Sequence, residues 1–231
     1  MSIDVCDRIS LKDFQRDYLA QNRPLLLSSE STSHWTCRRD WIKNDLPDLI
    51  TLGSLFDACR VSVIECKKDS SYGVSDKPRE CSFKEFREYM QHHTKDGLRY
   101  LKDFHLMRAF PNLNAYETLD LFSDDYINEY WDALGCDDYR FMYFGPDASF
   151  TPMHHDVFMS YSWSANICGT KKWILVPPEQ TKWLKDSGGN HLDDLEEYDS
   201  SRFPNAIRIA PFKVIQKPGE TIFVPRSVLL N

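Results

Sequence analysis

The segment Thr151-Pro-Met-His-His-Asp-Val-Phe158 holds the side chains best suited to chemistry in this 231-residue chain. Residues two apart on an extended strand project from the same face. His154 and Asp156 can therefore point together at one metal ion, while His155 points away. An imidazole nitrogen and a carboxylate oxygen so placed make up two thirds of a facial triad for non-haem iron. Taken alone the triplet is weak, because H-x-D arises often by chance and then reads as a pair of surface residues. The other histidines offer less. His34, His92, His93 and His105 lie upstream and read as surface or packing residues, and His191 falls in the polar loop from Asp186 to Asp194.

The residues that follow change the weight of the triplet. After His154-x-Asp156 come Ser162-Trp-Ser-Ala-Asn-Ile-Cys-Gly-Thr-Lys-Lys-Trp-Ile-Leu-Val-Pro-Pro178. This run resembles the JmjC family of iron(II)- and 2-oxoglutarate-dependent oxygenases, in which a strand, a glycine, a lysine and a strand ending in Pro-Pro follow the metal ligands. The resemblance implies a double-stranded β-helix, a cupin-like barrel with flanking helices. It implies iron(II) as cofactor, with 2-oxoglutarate and O2 as cosubstrates. His154 and Asp156 become metal ligands, and Lys171 takes the place of the lysine that holds the distal carboxylate of 2-oxoglutarate. A flexible ammonium suits that carboxylate in a closed pocket. Thr151 and Tyr100 sit where the family places hydroxyls against the cosubstrate, and Ser164 sits where several relatives carry a pocket asparagine. Each has a plainer reading: Lys171 and Lys172 as solvent-facing strand residues, Tyr100 as a core ring whose hydroxyl needs a partner.

Further segments narrow the resemblance. Gln-Asn-Arg-Pro24, Tyr-Leu-Lys-Asp-Phe-His-Leu106, Trp-Asp-Ala-Leu134 and Asp-Asp-Tyr-Arg-Phe141 are similar to the branch of the family that hydroxylates a lysine of the eukaryotic translation termination factor. That factor is the protein partner the resemblance implies. One element of the pattern is not met. The family follows the strand matching Thr221-Ile-Phe-Val-Pro225 with Gly-Trp and then the third iron ligand, a histidine. Here the sequence reads Arg226-Ser-Val-Leu-Leu-Asn231, and no histidine follows His191. The expectation is a barrel truncated before its last strands. Two alternatives stand beside the hydroxylase: a catalytically dead isoform acting as a binding module, and a histone lysine demethylase.

The elements that must position these residues are mixed in the first part and strand-rich in the second. Ser10 with Asp13 predicts a helix start, with Leu11, Phe14, Tyr18 and Leu19 at helical spacing and an exit at Pro24. Leu25 to Leu27 and Val61 to Glu65 read as buried strands, Lys67 to Glu80 as a surface loop. Ser82 predicts a second helix cap. A helix over 124–134 is expected to bury Tyr126, Ile127, Tyr130, Trp131 and Leu134. Strands are expected over Tyr139 to Gly145, Val157 to Cys168, Lys172 to Val176, Ile207 to Gln216 and Thr221 to Val224, with a helix from Glu179 to Lys185. The pattern divides into a mixed part, 1–135, packing on a barrel core, 136–231.

Composition sets the remaining bounds. The net charge of -7 and the pI near 5.5 leave no basic stripe for nucleic acid. Seven scattered cysteines without a C-x-x-C pair argue against a zinc ribbon or a disulfide framework and for a reducing compartment. The N-terminus has no signal core, and no apolar run reaches membrane-spanning length. The expected location is the cytoplasm, with the nucleus possible.

Overall fold

The computed structural model describes residues 1–66, 77–93 and 97–230. In chain order it begins with β1 (Asp4–Cys6), α1 (Leu11–Phe14), a π-helical turn (Gln15–Leu19) and β2 (Leu25–Leu27). Then come α2 (Thr36–Asp40), the two-residue strands β3 (Ile42–Lys43) and β4 (Leu46–Pro47), α3 (Leu49–Phe56), β5 (Arg60–Cys66), β6 (Arg79–Ser82), α4 (Phe83–His92) and β7 (Leu98–Phe104). They are followed by α5 (Leu106–Ala109), α6 (Tyr126–Leu134) and β8 (Met142–Phe144). The last strands are β9 (Ser162–Ala165), β10 (Lys171–Val176), β11 (Phe212–Gln216), β12 (Thr221–Val224) and β13 (Leu229–Leu230). These elements form two compact units, one made of 1–34 with 151–230 and the other of 35–66 with 77–150.

The first unit is built on two sheets, β1-β2-β12-β9 and β11-β10-β13. Residues paired across antiparallel strands share a face, so the registers Leu26–Ile222–Ser164 and Val224–Ser162 set one inner face. The registers Trp173–Val214 and Leu175–Leu230 set the other. Leu26, Ile222, Val224, Trp173, Leu175, Val214, Val228 and Leu230 form one core cluster from these faces. The outer face of the first sheet is covered by the N-terminal helix, with Phe14 edge-on to Phe223 at 4.9 Å. Outward residues of the second sheet, Val176 and Leu229, pack with Met153, Leu184, Leu192, Phe203 and Ala206.

One polar side chain lies inside this core. Gln216 has no exposed surface, and both its amide oxygen and its amide nitrogen are hydrogen-bonded. Trp173 Nε1 donates to Oε1 at 2.7 Å, and Nε2 donates to the carbonyls of Ser164 and Glu220, each at 2.7 Å. The amide thus ties β10 and β11 of one sheet to β9 of the other. The loop between β10 and β11 is organised by Asp186, which accepts from the backbone N–H of Gly188 and Asn190, each at 2.9 Å, and from Arg202 Nε at 2.7 Å. Hydrogen bonds from Asn190 and Arg202 hold its carboxyl far below the usual carboxylate range.

The second unit carries the antiparallel sheet β6-β5-β7-β8. Phe56 of α3 sits at the centre of its aromatic core, edge-on to Trp41, Phe83, Phe104 and Phe110 at 5.2–6.2 Å. Ser82 closes a capping box with Glu85 at the start of α4.

Several boundaries move from those expected. Val157 to Met159 form a short 3-10 turn, and the strand begins only at Ser162, because Phe158 and Met159 take positive φ of 56° and 52° that no strand admits. Strand β11 starts at Phe212, after a 3-10 turn over Ala206–Arg208. Strand β8 shortens to Met142–Phe144, and Pro178–Leu184 is a 3-10 rather than an α-helix. The loop expected over Lys67 to Glu80 lies mostly outside the described residues, and Arg79 and Glu80 belong to β6.

The largest departure concerns α6. Tyr126, Tyr130 and Leu134 are exposed by 73%, 61% and 54%, so three residues of the expected apolar stripe face out, while Ile127 and Trp131 are half-buried. The buried pole is polar: Asn128, 4% exposed, donates to Asp125 Oδ2 at 2.6 Å and accepts from Tyr139 N–H at 2.6 Å. A satisfied amide pinning the next segment outweighs the apolar periodicity.

Two outcomes test this description. Gln216→Leu strands the Trp173 N–H and two carbonyls, and is expected to cost about 2–4 kcal/mol, lowering the unfolding midpoint by on the order of 5–15 °C in calorimetry. Asp186→Asn is expected to lower the midpoint at neutral pH. A depressed carboxyl contributes stability that is present above its unfolded pKa of about 3.9 and lost as pH falls toward its folded value. The gap between variant and wild type therefore narrows below about pH 4, and a pH-independent gap contradicts the assignment.

Candidate functional site

His154 is fixed through its backbone before its ring does anything. Its N–H donates to Leu230 O and its carbonyl accepts from Leu230 N–H, both at 2.9 Å, in an isolated antiparallel bridge. Its Nδ1 lies 2.8 Å from the carbonyl oxygen of Pro152. A carbonyl only accepts, so Nδ1 carries a proton, and Nε2 is the nitrogen through which the neutral ring can ligate. This is the tautomer of a metal-binding imidazole whose other nitrogen is held by a carbonyl.

Nε2 of His154 stands 3.9 Å from Asp156 Oδ1. Two electron-rich atoms facing each other can share a cation, and cis coordination at bond lengths near 2.1 Å draws such a pair in to roughly 3 Å. The second carboxylate oxygen, Oδ2, accepts from Ser162 Oγ. Both side chains are partly open, 40% exposed for His154 and 26% for Asp156, so a ligand can approach from solvent. The convergence does not need the strand that the sequence predicts. Asp156 is extended, with φ -62° and ψ 155°, which keeps it on the side of His154, and the turn follows. His155 departs, its Nδ1 lying 3.3 Å from the Val228 carbonyl.

The other expected residues take these places. Ser164 lies on the inner face of β9, opposite Ile222, and its carbonyl accepts from Gln216. Lys171 opens β10 on the face of Trp173 and Leu175, with Nζ 4.0 Å from the Trp173 ring centroid. Lys172 faces the other way and pairs with Glu196. Thr151 is half-buried just before Pro152. His191 bridges to Lys185 in the loop, its pKa lowered by burial and by Lys185 and His155. Tyr100 belongs to the second unit, on β7 opposite Ile64. Burial raises its phenol pKa well above the ordinary value. Gly145 makes room for the ring, since a Cβ there meets Tyr100 Cδ2 at 2.7 Å.

Ser162 is the residue that reading the sequence missed. The signal was available: in Ser162-Trp-Ser164 the two serines alternate onto one face, so a pocket role for Ser164 implied an inward Ser162. Among the described residues, the only group of three or more His, Cys, Asp or Glu with converging ligand atoms is His105, Asp137 and Asp138. It is a hydrogen-bonded pin, with His105 Nδ1 2.5 Å from the buried Asp138 carboxylate and Arg108 3.6 Å from Asp137. Ligand atoms about a metal stand farther apart, roughly 3 Å at bond lengths near 2.1 Å.

The fold agrees with the comparisons. The model of the cupin-like domain matches residues 11–228, and the chain belongs to that family. It is similar to the 2-oxoglutarate and iron-dependent oxygenase JMJD4 of Gallus gallus, 43% identical over 96% of this chain and 55% of that protein. The JMJD4 of Homo sapiens is 38% identical over 94% of the chain and 54% of its own length. The arginine-specific demethylase JMJ20 of Arabidopsis thaliana is also 38% identical, over 94% and 51%. The chain thus spans about half the length of the curated relatives it matches.

Titration with Co(II), read from its visible absorption, tests the pair. His154→Ala and Asp156→Ala are expected to abolish the bound spectrum. Ser162→Ala, which removes only the bond to Asp156 Oδ2, is expected to weaken binding about 10-fold or more. Unchanged affinity in all three places the metal elsewhere.

Proposed function

We propose that these residues belong to an iron(II)- and 2-oxoglutarate-dependent oxygenase that hydroxylates a protein side chain. The observation carrying the proposal is the His154–Asp156 pair, with Nδ1 turned to the Pro152 carbonyl and Nε2 turned to Oδ1 at 3.9 Å. In this reading His154 and Asp156 hold iron(II), and Ser162 keeps the carboxylate turned toward it. Lys171, on the inner face of β10, pairs with the distal carboxylate of 2-oxoglutarate, and Thr151 and Ser164 line the same cosubstrate. Iron(II) with 2-oxoglutarate and O2 supplies insertion of one oxygen atom into a C–H bond, with succinate and carbon dioxide as coproducts. The protein's share is orientation: Nδ1 of His154 donates to the Pro152 carbonyl, and the Ser162 hydroxyl holds one oxygen of Asp156 so that the other would be free to ligate.

The relatives named as iron-dependent oxygenases support the reaction class. The substrate proposed is a lysine side chain of the eukaryotic translation termination factor, modified in the cytoplasm, on the strength of the sequence segments that resemble that branch. Among the described residues no helix is long and apolar enough to cross a membrane, and the described cysteines are all free thiols. A second reading follows from the Arabidopsis relative, whose name is that of an arginine demethylase: the same oxygen insertion at an N-methyl C–H gives a hemiaminal, whose C–N bond breaks to release the carbon as formaldehyde and restore the N–H.

The activity is that of a protein of the relatives' length carrying these residues. Incubated with the termination factor, iron(II) and 2-oxoglutarate, it is expected to release succinate and add one oxygen atom to a lysine, read by mass spectrometry. Loss of a methyl from a methylated arginine peptide, without lysine oxidation, decides for the demethylase. Lys171→Ala is expected to weaken 2-oxoglutarate binding by about 10–100-fold while leaving Co(II) affinity within about twofold of wild type. Equal loss of both sinks the role given to Lys171.

A further inference from the structure

The outward stripe of α6 coincides with the most unequal charge distribution in the chain. Segment 109–139 contains eight of the 35 acidic residues, Glu117, Asp120, Asp124, Asp125, Glu129, Asp132, Asp137 and Asp138, and none of the 28 Lys and Arg. It therefore accounts for the whole net charge of -7. Part of this charge is used locally. Asp125 caps the helix, Asp132 takes a bidentate pair from Arg140, and Asp137 and Asp138 engage His105. Asp120, Asp124 and Glu129 are exposed and make no ion pair among the described residues.

Tyr126, Tyr130 and Leu134 are spaced i, i+4, i+8, so they form one ridge about 12 Å long on the helix. On the helical wheel Glu129 borders that ridge, at about 60° from Tyr126. The ridge is held rigidly. Asn128 pins the helix from behind, the Asp125 side chain caps its start, and Gly135 closes its end in the left-handed region at φ 66°. An exposed apolar ridge of this kind marks an interaction surface.

We infer that the outer face of α6 docks a basic protein segment: a stretch carrying Lys or Arg around one or two aliphatic or aromatic anchors. The anchors cover Tyr130 and Leu134, cations lie over the tyrosine faces, and the flanking carboxylates steer and orient the approach. Charge selects this occupant over a second copy of the chain, because two such faces brought together place Glu129 and Asp124 against their own kind. The inference stands apart from the proposed activity, since it uses no residue of the His154 site.

The test is fluorescence anisotropy with the 231-residue chain and a labelled amphipathic peptide, Arg and Lys on one face and Leu on the other. An acidic peptide of equal length and the same basic peptide with Leu→Ser serve as controls. The basic Leu peptide is expected to bind, more weakly as salt rises, and the controls to bind at least about tenfold more weakly. Tyr130→Ser with Leu134→Ser, and separately Asp120→Lys with Glu129→Lys, are each expected to weaken binding by about tenfold or more. All four side chains are exposed, so both double variants are expected to keep the wild-type unfolding midpoint, which is measured alongside. Binding that is equal for basic and acidic peptides, or unaltered in either variant, overturns the inference. So does a wild-type dimer in sedimentation that Tyr130→Ser with Leu134→Ser dissociates, which gives the face to a second copy.

Discussion

A single buried amide sets the geometry on which the first unit depends. Gln216 hydrogen-bonds to both sheets at once, through Trp173 on one side and the Ser164 carbonyl on the other. Apolar contacts hold the sheets together without direction; the amide fixes their register, because a one-residue slip of β11 carries Gln216 to the outer face and leaves three partners unsatisfied. The inner faces of β9 and β10 are thereby set opposite each other. Ser162, Ser164 and Lys171 are all on those faces, so the lining of the site is a by-product of the same register.

The His154–Asp156 pair rests on this frame at two points. Ser162 is placed by its pairing with Val224 on β12 and reaches Asp156. Leu230, on the strand paired with Leu175 and Val176, holds His154 by its backbone. Neither His154 nor Asp156 lies in a regular element of more than one bridge, and their orientation comes from neighbours whose side chains are core. The turn after Asp156, with two successive residues in the left-handed region, takes the chain out of the site before β9 brings it back. Left-handed conformations in non-glycine residues cluster near functional positions.

How much of this was legible in the sequence depends on whether local chemistry decided it. The strand Thr221–Val224, the capping box at Ser82 and the cap at Ser10 follow from nearest neighbours, and the structure has all three. The H-x-D convergence was also legible, because extended backbone over three residues suffices for it. The extent of the following strand was not: nothing in Val-Phe-Met-Ser announces positive φ, which Gly or Asn ordinarily signals. Nor was the burial of α6. Periodicity located its apolar face correctly, and then assumed that the apolar face is the covered one. Asn128 reversed the outcome by finding partners on both sides, and such pairing between distant segments leaves no periodic trace.

The reciprocal bond between His154 and Leu230 has a consequence for the order in which the molecule assembles. The neighbouring contact, His155 to Val228, closes a separation of 73 residues, and Thr32 reaches Gly219 across 187. Strand β2 cannot acquire its antiparallel partner β12 until almost two hundred further residues have left the ribosome. Folding rates fall as contacts become more distant in sequence, and chains are synthesised far more slowly than helices and hairpins form. The second unit, whose sheet is built from nearer strands, can organise while the β12 side of β2 is still open. The bridge that holds His154 and the strand pairing that sets Ser162 against Asp156 both wait for segments made later, so the frame around the pair is completed late, together with the sheets.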